Sequence, residues 1–557
     1  MRKRLHLILL TLVVSPIAYA QPGMKTFSHA DTLRGSITSE RAWWDVLRYD
    51  ITVKPDYKSR TTKGRNVITY KVLSDHHLNK MQIDLQDPLK IDSIRYKQQT
   101  LEFEQRGNVW YVNTPVQRKD SKESIEVYFS GKPRLAPRPP WDGGWTFTKD
   151  SLGRPWMTVT CQGLGASVWY PCKDHQSDEP DEGASLSIIV PDTLVAVANG
   201  RLQSKKINGD GTTSYTWAVV SPINNYAIIP YIGKYVNFAE VYNGETGPLD
   251  VNYWVLDYNL ETAKKYLPPE VHNMFRAFEY WFGPYPFYDD GYKLVEAPHP
   301  GMEHQSAVAY GNWYKPGYRG RDVSGTGWGM KWDFIVVHES AHEWFGNNIT
   351  TKDLADMWVH EGFASYSESL FVEYIFGKNA ANEYRLGVRK GIKNDRPIIA
   401  DYNVNAEGSG DMYPKGATLL GLLRNSIDND VLFREILRGL NRDFYHQTVT
   451  SRRIEDYISK KTGFNYSKVF DQYLRTTQIP KLEFFFDGDE VHYHWSNCVK
   501  GFDLPVVLED GASKVRLMPV EQWKHTEVNE VQKKLFTNDT FIKAYYADLV
   551  PIEKNTK

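Results

Sequence analysis

The chain has 557 residues, 41% hydrophobic and 24% charged, with 40 Gly and 29 Pro spread along it, which excludes a disordered or collagen-like chain. At roughly 100 to 200 residues per domain it is long enough for about three units, each with a real core. Its 67 basic and 68 acidic residues leave a formal charge of -1, which gives no basic footprint for nucleic acid and no acidic tail for a basic partner.

At the N-terminus, Met1-Arg2-Lys3-Arg4, an apolar run from Leu5 to Val14 and Ala18-Tyr19-Ala20 have the charged, apolar and small-residue segments of a secretory signal. Cleavage after Ala20 is expected. The run is too short to span a bilayer and no later window holds about 18 uncharged apolar residues, so the expectation is a protein exported to the periplasm or medium without a membrane anchor. From about Arg41 to Gly244 the pattern is strand-like: Tyr49 to Val53, Asn66 to Val72 and Ser124 to Phe129 alternate apolar and polar residues. This predicts an N-terminal β domain over 41–244. Three cysteines, Cys161, Cys172 and Cys498, are too few for a disulfide framework, and at most one bridge is expected.

From Glu261 the period lengthens, with Leu267, Val271, Met274, Phe275, Phe278 and Trp281 at helical spacing until Gly283-Pro284-Tyr285-Pro286. Residues 331–480 read as mostly helical, completing a unit over 245–480. After Pro480, Leu482, Phe484 and Phe486 alternate, Asp487-Gly488 offers a turn, and Val491, Tyr493 and Trp495 continue a hairpin, which predicts a small β domain over 481–557.

The chemistry concentrates in His338-Glu339-Ser340-Ala341-His342. Four residues on a helix turn about 400°, so both imidazoles leave one face about a turn apart, a separation one tetrahedral zinc bridges. Glu339 is left beside the metal, positioned to take a proton from water. A second helical pattern, Leu354 to Tyr374, offers Glu361, nineteen positions after His342, as a third ligand. Glu368, seven residues further on the same face, is a candidate acceptor for a ligand histidine. One Zn2+ per chain is expected. The sequon Asn348-Ile349-Thr350 adjoins this motif, where a glycan would be hard to house.

The string from His338 through Glu361, with Trp344-Phe345-Gly346-Asn347 and Glu361-Gly362-Phe363-Ala364, resembles the gluzincin aminopeptidases of the aminopeptidase N and leukotriene hydrolase family. Further pieces fall in family order: Gln162 ten residues before Cys172, Phe282-Gly283-Pro284-Tyr285-Pro286, Gly301-Met302-Glu303-His304, and Tyr413-Pro414-Lys415-Gly416-Ala417. The resemblance covers roughly residues 40–430. It implies a multidomain α+β protein: an N-terminal β-sandwich or saddle, a thermolysin-like, mostly helical catalytic domain, and here a small C-terminal β-sandwich in place of the large helical domain of many relatives. It implies that Glu303 binds the α-ammonium of a peptide with Gln162 as a neutral second acceptor, that Gly301, Met302 and His304 meet the substrate backbone, and that Tyr413 donates to the oxyanion. Pro414 is expected to hold Tyr413 out of the α region, before a helix starting near Gly416.

Two histidines, His304 and His360, stand where the family has Asn. Both are assigned to positions behind the metal ligands or against substrate, with the charge of His304 expected to vary near neutral pH. The segment after Cys172 is longer than the family version. The function implied is hydrolysis of the N-terminal peptide bond of peptides; the competing readings are a thermolysin-type endopeptidase, against which the Glu303 segment argues, and a catalytically silent peptide-binding protein, against which the intact motif argues.

Overall fold

The computed structural model describes residues 26–75 and 79–554, so the expected signal segment 1–20 lies outside the described residues. The N-terminal part is built on an eight-stranded sheet in which the long strand Trp44–Asp56 pairs antiparallel with Thr61–Val72 and parallel with Ala184–Pro191. Alternation along Trp44–Asp56 buries Trp44 and Val46, then Tyr49, Ile51 and Val53. The change of phase between Val46 and Tyr49 is absorbed by a bulge at Val46/Arg48, which keeps both apolar sets on the core side. Against it lies a four-stranded sheet containing Gly144–Lys149 and Pro155–Thr160, and the turn that follows Thr160 carries Gln162.

The boundary expected after Gly244 falls inside a hairpin. Tyr235–Gly244 pairs along its length with Gly247–Leu256, and both belong to a five-stranded sheet completed by Tyr292–Glu296, Val308–Tyr310 and the edge strand Gly301–Met302. The change of sheet lies instead at Lys234, directly after the strand Tyr231–Gly233. Period-2 alternation marks a strand but carries no record of which sheet it joins.

The first long helix, Leu260–Phe282, buries the apolar residues that its spacing predicts. The motif helix, Phe334–Ala341, packs on the central helix, Trp358–Phe376. The central helix starts after a short turn at Leu354–Asp356 rather than at Leu354, and every residue from Trp358 to Val372 is buried, as befits a helix with no polar stripe. Residues 390–409, within the stretch expected to be mostly helical, form an extended loop before the helix Pro414–Ile427.

The hairpin Lys481–Asp487 and Glu490–Ser496 lies in a four-stranded sheet beside a two-stranded one, with two short helices, Glu530–Lys533 and Asn538–Ala544. This region shares its core with the catalytic helices: one apolar cluster runs from Leu249 to Leu549, and the Arg385 guanidinium donates to the Lys543 carbonyl at 2.6 Å. All three cysteines are free thiols, so Cys161 and Cys172 form no bridge. Among the described residues, no helix is long and apolar enough to cross a membrane.

Candidate active site

Asp333 caps the motif helix by accepting from the Val336 N–H at 3.0 Å, and His338 and His342 leave one face with ring centroids 5.2 Å apart. Each ring is fixed through Nδ1. His338 Nδ1 bonds Glu368 Oε1 at 2.7 Å, and the other Glu368 oxygen accepts from Tyr384 OH at 2.7 Å. His342 Nδ1 donates to the Phe345 carbonyl at 3.1 Å; the helix has ended there, and the turn at Gly346 (φ 139°) brings that carbonyl back. With Nδ1–H committed in both rings, each Nε2 is left as a ligand atom.

Glu361 supplies the third. Its Oε2 lies 3.4 Å from His342 Nε2 and 3.8 Å from His338 Nε2 and has no hydrogen-bond partner although buried. The three ligand atoms lie within 4.8 Å of one another. Burial works against an ionised Glu361, yet His342 and His338 hold its carboxyl well below the usual range. A buried acceptor without a donor, facing two imidazole nitrogens, fits a divalent cation, and the His2Glu set with an open position is that of hydrolytic zinc.

The two motif glycines Gly362 and Gly416 explain how Tyr413 reaches this centre. A Cβ on Gly416 would lie 2.9 Å from the Gly362 Cα, so the central helix and Pro414–Ile427 touch backbone to backbone where Glu361 and Tyr413 sit. The helix begins at Pro414, earlier than expected, and Tyr413 has φ -71° and ψ -77°, at the edge of the α region rather than outside it. Proline at the first helical position is itself compatible with the helix, and tertiary packing overrides the preference it imposes on its predecessor. The Tyr413 ring lies 6.2 Å from that of His338. Burial, reinforced by Glu361 and Glu407, pushes its phenol well above its ordinary value, so it stays protonated as a donor.

Gly301–Met302 is an edge strand antiparallel to Val308–Tyr310, and its free edge borders a cleft of about 520 Å3. A Cβ on Gly301 would lie 2.6 Å from Glu339 Oε1 and 2.9 Å from Ile335 Cδ1, so a side chain here would displace the carboxylate that the glycine lets the strand pass. Burial pushes the Glu339 carboxyl up to about 7, with Glu303 adding to the shift and His338 opposing it.

Glu303 closes the cleft and is 2% exposed. Its Oε1 accepts from Gln162 Nε2 at 2.7 Å and Tyr226 OH at 3.0 Å, while Gln162 Nε2 also reaches Glu361 Oε1 at 3.2 Å. Gln162 therefore bridges the carboxylate assigned to the ammonium and the carboxylate assigned to the metal. Tyr226, Tyr384 and Glu407 were not singled out by the sequence: Tyr384 lies on the buried face of the amphipathic helix Lys378–Arg389, where its period marks it only as a core residue, Tyr226 and Glu407 lie outside periodic segments, and only the tertiary fold brings them here.

His304 departs from its expected role. It is fully buried, does not line the cleft, bonds Tyr231 OH through Nδ1 at 2.5 Å and faces His299. Burial holds it well below its ordinary pKa, so it is neutral and its charge does not vary near neutral pH. His360, expected behind the metal ligands, is buried on the far side of Gly346 from the cleft: a Cβ on Gly346 would lie 3.1 Å from His342 Nδ1 and 3.5 Å from His360 Nδ1. Its Nε2 accepts from the Thr351 N–H at 2.9 Å, and burial lowers it to about 3. The longer segment after Cys172 folds inward, where Asp174 accepts from the Ala166 N–H at 3.2 Å and Asp178 from Tyr49 OH at 3.0 Å. Asn348 of the sequon is buried and bonded to Asn441.

A mixed fold of this order with a His2Glu centre and a carboxylate one step beyond it defines a zinc metallopeptidase. The chain belongs to peptidase family M1: the family's N-terminal domain model matches residues 46–226 and its peptidase domain model residues 328–473, together more than half of the chain. Aminopeptidase N of Lactobacillus helveticus is 23% identical over 516 residues, 83% of this chain and 56% of that protein. Leucine aminopeptidase 2 of Vanderwaltozyma polyspora is 24% identical over 347 residues, 61% of this chain and 48% of that protein. The chain thus spans about half the length of such curated relatives. An M1 zinc metallopeptidase from Deinococcus radiodurans has the same fold, with a TM-score of 0.66 at 20% identity, covering 78% of this chain and 95% of that one.

Proposed function

We propose that the chain is an exported zinc aminopeptidase that removes the first residue of peptides. The observation that carries this reading is Glu303, a buried carboxylate hydrogen-bonded to Gln162 at the closed end of a cleft whose other wall holds the metal ligands. A peptide entering such a cleft is measured from its free amine, because a charged ammonium neutralises a buried carboxylate, whereas an uncharged backbone amide can only hydrogen-bond to it. The export half of the proposal rests on the residues 1–20 pattern.

A zinc ion held by His338, His342 and Glu361 supplies Lewis acidity to the scissile carbonyl and the attacking water. Gly301–Met302 offers its free edge to the substrate backbone. Glu303 and Gln162 fix the ammonium and so set the first peptide bond against Glu339. Glu339 takes a proton from the attacking water and returns it to the leaving nitrogen, a role its buried, upshifted carboxyl suits. Tyr413 donates its phenolic proton toward the oxygen on which negative charge develops.

The test compares one peptide with and without N-terminal acetylation. Cleavage of the free form alone supports the reading; equal rates overturn it and leave an endopeptidase. Glu303→Ala should mimic the block from the enzyme side, lowering kcat/KM on free peptides some tenfold to a hundredfold, as loss of a charge-assisted bond of about 1.5–3 kcal/mol implies, with zinc content unchanged. Mass spectrometry of the mature protein should find Gln21 at its start, and an intact 1–20 segment would overturn export.

A further inference from the structure

Glu407 lies in the loop 390–409 and is assigned no step in the chemistry above; its charge only adds to the burial and the Glu361 charge that keep the Tyr413 phenol protonated. Its carboxylate lines the same cleft, and among the described residues only through-space charges, those of Glu361, Glu303 and Arg396, act on it, with no hydrogen bond. Arg396, whose charge acts on Glu407 without an ion pair, donates instead to the Gly408 carbonyl at 2.8 Å. A Cβ added to Gly163 would lie 3.0 Å from Glu407 Oε1, which places the carboxylate beside the Gln162–Gly163 turn.

That position is on the amino side of the scissile bond. The opposite side, beyond His338, is apolar: Phe334 stacks on His338 at 5.1 Å, Tyr318 lies against Phe334 at 5.4 Å, and Val388 completes it. With the ammonium on Glu303 and Gln162 and the carbonyl at the metal ligands, the second residue faces that apolar wall and the first side chain faces Glu407. Pro140 and Trp141 line the cleft as well, Trp141 with 73% of its surface exposed. Their turn packs against the Gln162 turn, since a Cβ on Gly143 would lie 3.4 Å from the Leu164 side chain. An aromatic face near the mouth with a carboxylate further in suits a long aliphatic stem ending in a cation.

Charge points the same way. Five carboxylates line the cleft, Glu303, Glu339, Glu361, Glu368 and Glu407, and no described Lys or Arg does. Zinc and one ammonium offset three of these negative charges, and Glu368 is committed to His338 and Tyr384. Glu407 is left with no counterpart inside the cleft, and only the Arg396 charge, outside the lining, opposes the carboxylates around it.

We propose that Glu407 is the specificity-determining residue for the first side chain and selects peptides beginning with Lys or Arg. The proposal rests on the aminopeptidase reading. Burial and the Glu361 and Glu303 charges push the Glu407 carboxyl up to about 7, a cost that a bound side-chain cation relieves.

The experiment measures kcat/KM at pH 8 for lysyl and norleucyl p-nitroanilides, which differ by one ammonium group, on the zinc-loaded wild type and Glu407→Gln. Wild type should favour the lysyl substrate at least tenfold, and the variant should lose most of that ratio with norleucyl turnover within about threefold of wild type. Free lysine should inhibit wild type more tightly than free norleucine, and Glu407→Gln should remove the difference. A wild-type ratio near one overturns the proposal while leaving the aminopeptidase reading intact. An equal fall on both substrates overturns it by making Glu407 an acceptor for the α-ammonium or a support for the loop. If neither substrate turns over while acetylated peptides are cut, the aminopeptidase reading and this proposal both fail.

Discussion

The two walls of the cleft are built by different means. The metal wall comes from two helices close in sequence, where His338 and His342 sit one turn apart and Glu361 and Glu368 share a face of the central helix. The amino wall comes from segments far apart: Gln162 is 141 residues from Glu303, and Glu407 reaches the cleft from a loop of the catalytic part. Helical packing makes the first wall a local property of about 30 residues, while the second exists only when the sheet domain is seated on the catalytic one. Changes in the metal wall should therefore affect metal and rate together, and changes in the amino wall should spare the metal and alter which substrate is taken.

Glu339 is the expected exception on the metal wall and sharpens the comparison most. Glu339→Gln keeps the shape and the three ligands but removes the proton acceptor, so kcat should fall by about 10^2 to 10^4 with a full equivalent of zinc retained by metal analysis. Loss of zinc along with activity would move Glu339 into the ligand set and break the division drawn above.

Next in size is Glu368. It orients His338 and is itself held by Tyr384, so Glu368→Ala should weaken zinc binding roughly tenfold to a hundredfold in a chelator competition, with activity restored by excess zinc. An unchanged zinc affinity would show that His338 is oriented by packing alone.

A backbone contact comes third. Gly416→Ala puts a methyl 2.9 Å from the Gly362 Cα, and neither backbone can retreat as a side chain would. Overpacking of this kind costs about 1–3 kcal/mol, and because the same contact delivers Tyr413 to the metal wall, kcat should drop while the preference among first residues stays constant. A change in preference instead would tie the helix crossing to the amino wall.

These expectations differ in how they could be read from residues alone. His338, Glu339, His342, Glu361 and Glu368 follow from helical spacing and ligand chemistry. Gln162, Glu303 and Tyr413 came only from resemblance, because no period links segments 141 or 110 residues apart. His304 was misplaced because it adjoins Glu303, yet the strand ends at Met302 and the two neighbouring side chains part, Glu303 lining the cleft and His304 bonding Tyr231 within the core. The strands were legible by alternation, but the sheet that Tyr235–Gly244 joins was not, since pairing is decided by partners the pattern does not name. Glu407 had no signal at all: it lies in a loop without periodicity, and its meaning is the absence of a partner, which only a structure reveals.

The smallest effect tests how the sheet domain that carries Gln162 is held together. Asp178, in the segment after Cys172, accepts from Tyr49 OH at 3.0 Å and lies 3.6 Å from Lys173 Nζ. Burial raises its carboxyl from 3.8 to about 7, with Lys173 opposing. Between about pH 4 and pH 7 the unfolded chain has released this proton and the folded one still holds it, so the folded state binds more protons and stability falls as pH rises through that window. Asp178→Asn retains an acceptor for Tyr49 and cannot ionise, which removes this contribution. Other buried acids titrate in both proteins and cancel in the difference. The melting temperature of the variant relative to wild type should therefore shift upward by a few degrees between pH 5 and pH 8. A flat difference would mean that Lys173 keeps Asp178 ionised throughout. A downward shift would mean that the ion pair stabilises this segment, which would make electrostatics rather than burial the force that seats the turn bearing Gln162.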